Sequence, residues 1–263
     1  MSKFITCTPK SLPSDLWIAA AERAIQINPV NQPPPRHIPR AAGGAPPDPR
    51  ALALEVGKRW PTTGVRLTVS FLDNPPADLR AHILSHMNAW AKSANVEFTE
   101  SDVDPQVRIA RVDWPPENAG YWSYVGTDIL SIPMDEPTMN LEGFTMESPE
   151  SEFCRVVRHE TGHTLGFPHE HMRKELVDRI DEVKAVAHFG QTQGWDPDEV
   201  YRQVLTPLED VSILGTPLAD ETSIMCYQIP GWLTKDGLPI IGGVDINELD
   251  YAFAASIYPK SVI

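Results

Sequence analysis

The residues best suited to chemistry lie between positions 159 and 171, where the sequence reads His-Glu-Thr-Gly-His-Thr-Leu-Gly-Phe-Pro-His-Glu-His. His159 and His163 are four residues apart, so a helix places both imidazoles on one face, as two ligands of one metal ion require. Glu160 is offset by about 100° around the same helix. It therefore flanks the pair and can act as a base on a water molecule at the metal.

Gly166 and His169 extend this pattern. A glycine at position 166 can take the left-handed conformation that ends a helix, and the turn can bring His169 back to the same metal. Three neutral nitrogen ligands leave a fourth position open, which is typical of catalytic rather than structural zinc. Five fixed positions match by chance on the order of once in 10,000 chains of this size, so a helix with three structural histidines is disfavoured.

We expect a mixed sheet with helices packed on it to position these residues. Residues 65–71 alternate apolar and polar side chains and predict a strand, and residues 79–90 carry a helical apolar stripe. Further strands are predicted near residues 96–98 and 107–112. We place an edge strand in the extended stretch that leads to residues 138–143.

Helix ends are predicted from capping residues. Ser148 is expected to cap the helix that carries His159, with Pro149 at its first position, and Ser14 is expected to cap a helix that stops at Asn28-Pro29. A short helix after Asp196 and a last helix at about 245–257 are also predicted. Eight prolines between positions 29 and 49 predict an extended linker.

Composition narrows the class of protein. The 263 residues are 41% hydrophobic, carry a net charge of −14 and include three cysteines. This charge would repel nucleic acid and anionic membranes, and we expect neither as a partner. No run of about 20 apolar residues is present, and the first residues lack the apolar core of a secretory signal. The location stays open between the cytoplasm and export by a leaderless route, and a monomer is expected.

Four blocks of the chain resemble the metzincin zinc endopeptidases, and among them the astacins. The long motif continues into His169-Glu170, as in astacins, and residues 120–126 are similar to their Gly-x-x-Ser-Tyr-Val-Gly segment. Residues 223–227 resemble the astacin Met-turn, and residues 245–258 are similar to the closing helix. The resemblance extends from about Trp60 to Pro259 and does not cover the first 50 residues.

The resemblance implies an α+β, metzincin or zincin-like fold: a twisted mixed sheet with an antiparallel edge strand, an active-site helix and a smaller, mostly irregular or helical C-terminal subdomain. Residues 1–50, which the resemblance does not cover, are expected to be an N-terminal helix and a proline-rich linker that act as a pro-segment, an adaptor or a strap. Residues 51–263 would be the catalytic domain, divided at about residue 168.

The resemblance also implies roles for single residues. His159, His163 and His169 would bind one catalytic Zn²⁺, with Glu160 as general base. Met225 would support the site from the turn beneath the metal. Tyr227 would donate a hydrogen bond to the oxyanion or act as an additional ligand.

The function that follows is a zinc-dependent endopeptidase whose protein or peptide substrate lies extended along the edge strand near residues 138–143. Two alternatives stay open: a catalytically silent, zinc-containing binding module, and a metal hydrolase that acts on cell-wall or other non-protein amides. Side-chain specificity is not predicted, because loops form the pocket walls.

Several residues have two interpretations. Cys7 is either an ordinary thiol or a thiolate that latches onto the zinc. Cys226, where astacins usually have histidine, is expected to be a buried thiol, and His171 a neighbour of the metal rather than a ligand. In secreted astacins the residue matching Glu170 anchors a mature amino terminus; here a salt bridge is the alternative. His82 and His86, and the acidic residues at 178–182, are expected to lie at the core edge or in solvent.

Overall fold

A five-stranded sheet is the centre of the molecule. The computed structural model describes residues 7, 10–33, 56–113, 115, 118–207 and 219–260. In these residues the strand order is β2-β1-β3-β5-β4, with the bounds β1 Val65–Phe71, β2 Val96–Glu100, β3 Val107–Ala110, β4 Tyr121–Ser123 and β5 Met139–Leu141. All neighbours pair in parallel except β4, which is antiparallel to β5. This confirms the predicted α+β fold with a mixed sheet and an antiparallel edge strand.

The position of the edge strand corrects the sequence prediction. Strand β5, in the stretch that was expected at the edge, lies inside the sheet between β3 and β4, and its three residues are buried. The Asn140 side chain links β5 to the segments on both sides of it. Its Oδ1 accepts from the Val112 amide, after β3, at 2.9 Å, and its Nδ2 donates to the Gly120 carbonyl, before β4, at 2.7 Å. The edge strand on this side is β4.

Five longer helices surround the sheet: α1 Trp17–Ile27, α2 Ala77–Met87, α3 Arg158–Thr164, α4 Glu182–Gln193 and α5 Glu248–Ile257. Short α-helical turns lie at Glu150–Glu152, Lys174–Val177 and Pro197–Val200. The 3-10 turns are Pro29–Asn31, Asn88–Lys92, Gly126–Ser131, Glu170–Met172 and Gly231–Leu233, and the π-helical turns are Phe153–Val157 and Tyr201–Leu205.

Two predicted helix caps are wrong. The N-cap of α1 is Leu16, and Ser14 lies in the turn before it. Ser148 does not cap either, because Pro149 is the N-cap and the Ser148 hydroxyl accepts from the Thr145 amide at 3.0 Å. Short polar side chains can bond nearby backbone groups in turns, and this local bond competes with the capping role.

The helical run that begins at Glu150 continues without interruption into α3, with the π turn Phe153–Val157 between them. Trp90, which is fully buried, donates from its indole nitrogen to the Arg158 carbonyl at 2.9 Å. At the other end of α3, Trp60 and Tyr258 donate to the carbonyls of Thr164 and Leu165 at 2.8 and 2.6 Å. The buried carbonyls at the end of the helix are therefore satisfied by side chains.

The described residues form two main hydrophobic clusters, one large and one smaller, and two minor clusters that include residues of α1. The large cluster fills the space between the sheet, α2, α3 and α5, and the smaller one lies around Phe189, Val204 and Leu233. No helix in the described ranges is long and apolar enough to cross a membrane. Most of the proline-rich linker predicted at residues 29–49 lies outside the described residues, and the division of the chain at residue 50 stays a prediction.

Candidate metal centre

The three histidines of the motif converge on one point. His159 and His163 project from α3, one turn apart, and their Nε2 atoms lie 3.2 and 3.0 Å from Nε2 of His169. His169 returns to this point because the chain turns at Gly166, whose φ of 90° is in the left-handed region. A side chain at Gly166 would also place its Cβ 2.9 Å from the Lys58 carbonyl oxygen. The sequence reasoning about this glycine is therefore confirmed.

Hydrogen bonds orient the rings. Nδ1 of His159 lies 2.5 Å from the Ile224 carbonyl, and Nδ1 of His163 lies 2.9 Å from the Phe167 carbonyl. A carbonyl only accepts, so each Nδ1 carries the proton and each Nε2 presents a lone pair to the common point. Nδ1 of His169 has no hydrogen-bond partner among the described residues.

These rings fit a metal ion. Burial lowers the pKa of His159 to about 4 and the pKa of His163 and His169 well below the usual value, so all three are neutral. The Nε2 lone pairs of His159 and His163 point to the place where Nε2 of His169 also lies. Three neutral imidazoles with their Nε2 atoms turned inward are a typical zinc donor set.

Glu160 lies beside this point and is fully buried. Its Oε1 has no hydrogen-bond partner in the described parts of the chain. Burial raises the pKa of Glu160 to about 8, while the bond from Cys7 and the charge of Arg155 oppose that rise. A cation at the histidines would favour the charged carboxylate in the same way.

Cys7 is the residue that the sequence left most open. Its Sγ donates to Oε2 of Glu160 at 3.1 Å, across 153 positions of sequence. Cys7 Sγ and one nitrogen of each histidine lie within 4.8 Å of one another. The structure therefore brings the thiol next to the three histidine nitrogens, and its role as a latch on the zinc stays a prediction.

The turn with Met225 lies under α3. The Met225 sulfur would be only 2.4 Å from a Cβ added at Gly162, so the thioether packs directly against the helix between the two histidines. The turn is held by Asp250, a buried residue of α5. Its carboxylate accepts from the Ser223 hydroxyl at 2.6 Å and from the Ile224 amide at 2.9 Å. Sequence reasoning did not single out Asp250, which lies inside the last predicted helix at about 245–257 and in the first turn of the observed α5.

Tyr227 lies beside the histidines. Its ring is 4.2 Å from that of His169 and stacks on His171 at 4.0 Å with an angle of 14°. The hydroxyl is buried and has no hydrogen-bond partner among the residues described. Burial raises the pKa of Tyr227 well above its usual value, so the phenol keeps its proton.

The neighbours of the motif lie outside the converging nitrogens. His171 Nε2 lies 3.0 Å from the Gln203 carbonyl, and burial lowers the pKa of His171 to about 3. Glu170 forms a salt bridge with Arg173 at 2.5 Å, the structural alternative to binding an amino terminus. Cys226 is a buried thiol in the smaller core cluster, as predicted.

The structure distinguishes two weaker candidate sites, the acidic residues at 178–182 and the pair His82 and His86. At 178–182 the acidic residues have other partners: Asp178 pairs with Lys174, and Asp181 caps α4 by accepting from the Lys184 amide at 3.2 Å. This is the predicted solvated face. His82 and His86 do lie at the edge of the core, but they share a third partner, Glu150, that the sequence did not suggest.

Comparisons with known proteins agree with this geometry. The family model described as Astacin, a peptidase family, matches residues 54–229. The zinc metalloproteinase nas-27 of Caenorhabditis elegans is 32% identical over 174 residues, which are 57% of this chain and 37% of that protein. The chain thus spans little more than a third of the length of this curated relative.

Solved structures are similar over most of the chain. One structure of myroilysin has a TM-score of 0.70 at 28% identity, covering 78% of this chain and 97% of the other. A second has a TM-score of 0.58 at 29% identity, covering 77% and 86%. High choriolytic enzyme 1, a hatching enzyme zinc-protease from Oryzias latipes, shares the fold, with a TM-score of 0.51 at 18% identity, covering 78% and 94%. Because the family model matches more than half of the 263 residues, the chain belongs to the astacin family of peptidases.

Proposed function

We propose that this protein is a zinc-dependent endopeptidase that hydrolyses peptide bonds of proteins or peptides. The observation that carries the proposal is the convergence of three neutral Nε2 atoms next to a buried carboxylate, Glu160, in a chain of the astacin family. In this proposal His159, His163 and His169 are the metal ligands, Glu160 is the general base and Met225 supports the turn below.

Zinc held by these three histidines would act as a Lewis acid and lower the pKa of water from ~15.7 to ~7, so that a base can deprotonate it at neutral pH. Glu160 would take the proton from the attacking water and deliver it to the leaving amine. Its burial favours this exchange, because a desolvated carboxylate accepts a proton readily. Glu160 Oε1 has no hydrogen-bond partner among the described residues, so it is the oxygen that would accept and release this proton.

Tyr227 is proposed to stabilise the negative charge that develops on the carbonyl oxygen. Its phenol remains protonated and has no competing partner among the described residues, so its hydrogen bond is available to the oxyanion. The stack on His171 limits rotation of the ring and holds the hydroxyl on the side of His169.

The substrate is proposed to bind as an extended chain along β4, rather than along residues 138–143. Two contacts support this choice: the Lys10 amide donates to the Ser123 carbonyl at 3.1 Å, and Lys10 pairs in parallel with Tyr124. This edge therefore accepts backbone hydrogen bonds, as β-augmentation requires, and a substrate would take the place that Lys10 occupies in this structure. No feature of the described residues favours a silent binding module or a non-peptide amide as substrate.

The direct test is Glu160→Gln in the full-length, zinc-loaded protein, assayed on a peptide library and repeated with Cys7→Ala present. We expect zinc content to match the parent and cleavage to fall by about 10²- to 10⁴-fold, the usual effect of removing a general base. Glu248→Gln is the matched control, because Glu248 is 89% exposed in its side chain. Undiminished cleavage by Glu160→Gln would remove this mechanism, and no cleavage of any peptide by the zinc-loaded parents would argue against an endopeptidase.

A further inference from the structure

We propose that His82, His86 and Glu150 form a second metal site, separate from the three histidines of the motif. It would bind a divalent transition metal ion such as Zn²⁺ or Cu²⁺. This inference does not depend on the proposed proteolytic activity.

The three side chains present their donor atoms to one another. His82 and His86 lie one turn apart on α2, and their Nε2 atoms are 3.0 and 3.2 Å from the two carboxylate oxygens of Glu150. All three donor atoms lie within 4.8 Å of one another. Small rotations of these side chains would bring all three donors to the 2.0–2.2 Å that zinc requires.

Among the described residues, only two groups bring three or more such donors this close together. One is the set of Cys7 and the three motif histidines, and the other is His82, His86 and Glu150. Two imidazoles and one carboxylate suit zinc and copper, and they leave room for water in the remaining positions.

Packing fixes the two rings. The Phe153 ring contacts His82 and His86, with ring centroids 4.4 and 5.4 Å apart, and the two imidazole rings lie 4.8 Å from each other. The His86 side chain is only 4% exposed, whereas that of Glu150 is 65% exposed. The site therefore has a rigid inner side and an open outer side through which an ion can enter.

The protonation of His86 also bears on binding. Burial lowers the pKa of His86, so the ring is neutral and can act as a ligand. Arg158 donates from Nε to His86 Nδ1 at 3.2 Å, which places the ring proton on Nε2, towards Glu150. A metal at Nε2 requires this proton to move to Nδ1 and the Arg158 bond to break. Arg158 keeps its ion pair with Asp245, at 2.5 Å, after that change.

A metal ion bound at this site would link two elements that support the proposed metal centre. Glu150 begins the helical run that continues into α3, and His82 and His86 belong to α2. A metal ion would cross-link the start of that run to α2, so we expect binding to raise the thermal stability of the protein.

The test starts from full-length protein that has been loaded with zinc and freed of excess metal, and titrates it with further Zn²⁺ by calorimetry. The parent is expected to show one more saturable binding step per chain. His82→Ala and Glu150→Gln should each weaken this step by at least about tenfold, because each removes a direct ligand. His188→Ala should leave it unchanged, since His188 rests against Trp232, away from the cluster.

A second measurement identifies the ligands. Cu²⁺ added to the zinc-loaded parent should give an electron paramagnetic resonance signal with two imidazole nitrogens, and one nitrogen should disappear in His82→Ala. The absence of a further saturable step in the parent would overturn the proposal. So would a step that keeps its affinity in both Glu150→Gln and a folded His82→Ala, with folding checked by circular dichroism.

Discussion

The Tyr227 hydroxyl is buried and has no hydrogen-bond partner among the described residues, and its ring contacts those of both His169 and His171. A buried hydroxyl without a partner is unfavourable by about 1–3 kcal/mol, and such groups concentrate at functional sites. Here the missing partner would be the oxyanion formed during peptide hydrolysis.

We therefore expect Tyr227→Phe to lower kcat by about 10²- to 10³-fold with little change in KM, because the lost hydrogen bond forms only in the transition state. The measurement is steady-state cleavage of a peptide in the Cys7→Ala background. Tyr201→Phe is the control, because the Tyr201 hydroxyl bonds Glu182 on the surface. A Tyr227→Phe variant within twofold of its parent would assign this tyrosine to packing alone.

The residues of the candidate site differ in how well the sequence alone predicts that they belong to it. The converging histidines and Glu160 were predictable because helical spacing is a local rule, and the glycine turn after α3 is also local. For Cys7 the sequence left two interpretations open, and it did not indicate Asp250 as part of the site at all. Cys7 reaches Glu160 across 153 positions, and Asp250 reaches Ser223 across 27, so both contacts depend on the completed fold.

At the scale of elements, α3 and the Met225 turn are packed too closely for any side chain at Gly162. An added Cβ would lie 2.4 Å from the Met225 sulfur and 3.4 Å from the Trp90 ring. Gly190 in α4 offers a comparison, because its added Cβ would meet only the Trp195 carbonyl at an ordinary 3.5 Å.

We expect Gly162→Ala to lower the free energy of unfolding by about 1–3 kcal/mol through overpacking. Gly190→Ala should raise it by about 0.5–1 kcal/mol, because alanine is the better helix former. Denaturant unfolding of the zinc-loaded proteins measures both changes. Equal stability of Gly162→Ala and its parent would mean that the thioether moves aside without cost.

The elements themselves were largely predictable, but their arrangement was not. Strand β1 and helix α2 follow directly from the spacing of apolar residues. The order of β4 and β5 depends on which strand pairs with β3, a contact between distant segments, and alternation cannot reveal it. The capping prediction at Ser148 was wrong for a local reason, since its hydroxyl accepts from the Thr145 amide in its own turn instead. The prediction at Ser14 was wrong because α1 begins later, with Leu16 as its N-cap.

At the scale of the whole molecule, Cys7 and residues 10–33 pack against the rest of the protein, and Cys7 reaches its centre. Leu12 and Ala20 pack with Ile132, and the Asn28 side chain donates to the Trp60 carbonyl at 2.7 Å. These contacts support the strap interpretation of the N-terminal region. Cys7, in contrast, contacts the proposed catalytic base, which supports the inhibitory interpretation.

We expect Cys7→Ala to raise proteolytic activity by about 10- to 100-fold. A hydrogen bond to a charged group contributes about 1.5–3 kcal/mol, and each 1.4 kcal/mol corresponds to a tenfold change in the open population. The measurement is the initial rate of peptide cleavage by purified zinc-loaded protein. Cys154→Ala is the control, because Cys154 lies elsewhere and is only partly buried.

Unchanged activity in Cys7→Ala would show that the thiol does not hold the enzyme inactive. Deletion of residues 1–50 is a less clear test, because it also removes the contacts of α1 and Asn28. We expect that deletion to lower the melting temperature, although it also removes the contact of Cys7 with Glu160.

The position of Asp250 has a consequence for how the protein is made. His159 Nδ1 contacts the Ile224 carbonyl, and Asp250 holds the amide of the same residue. A ribosome adds Asp250 about 90 residues after His159. At ~5–20 residues per second this is a delay of roughly 5–18 s. During that interval the turn that supports the histidines lacks the Asp250 carboxylate that holds it. Metal binding in the final geometry would therefore be a late event of biosynthesis.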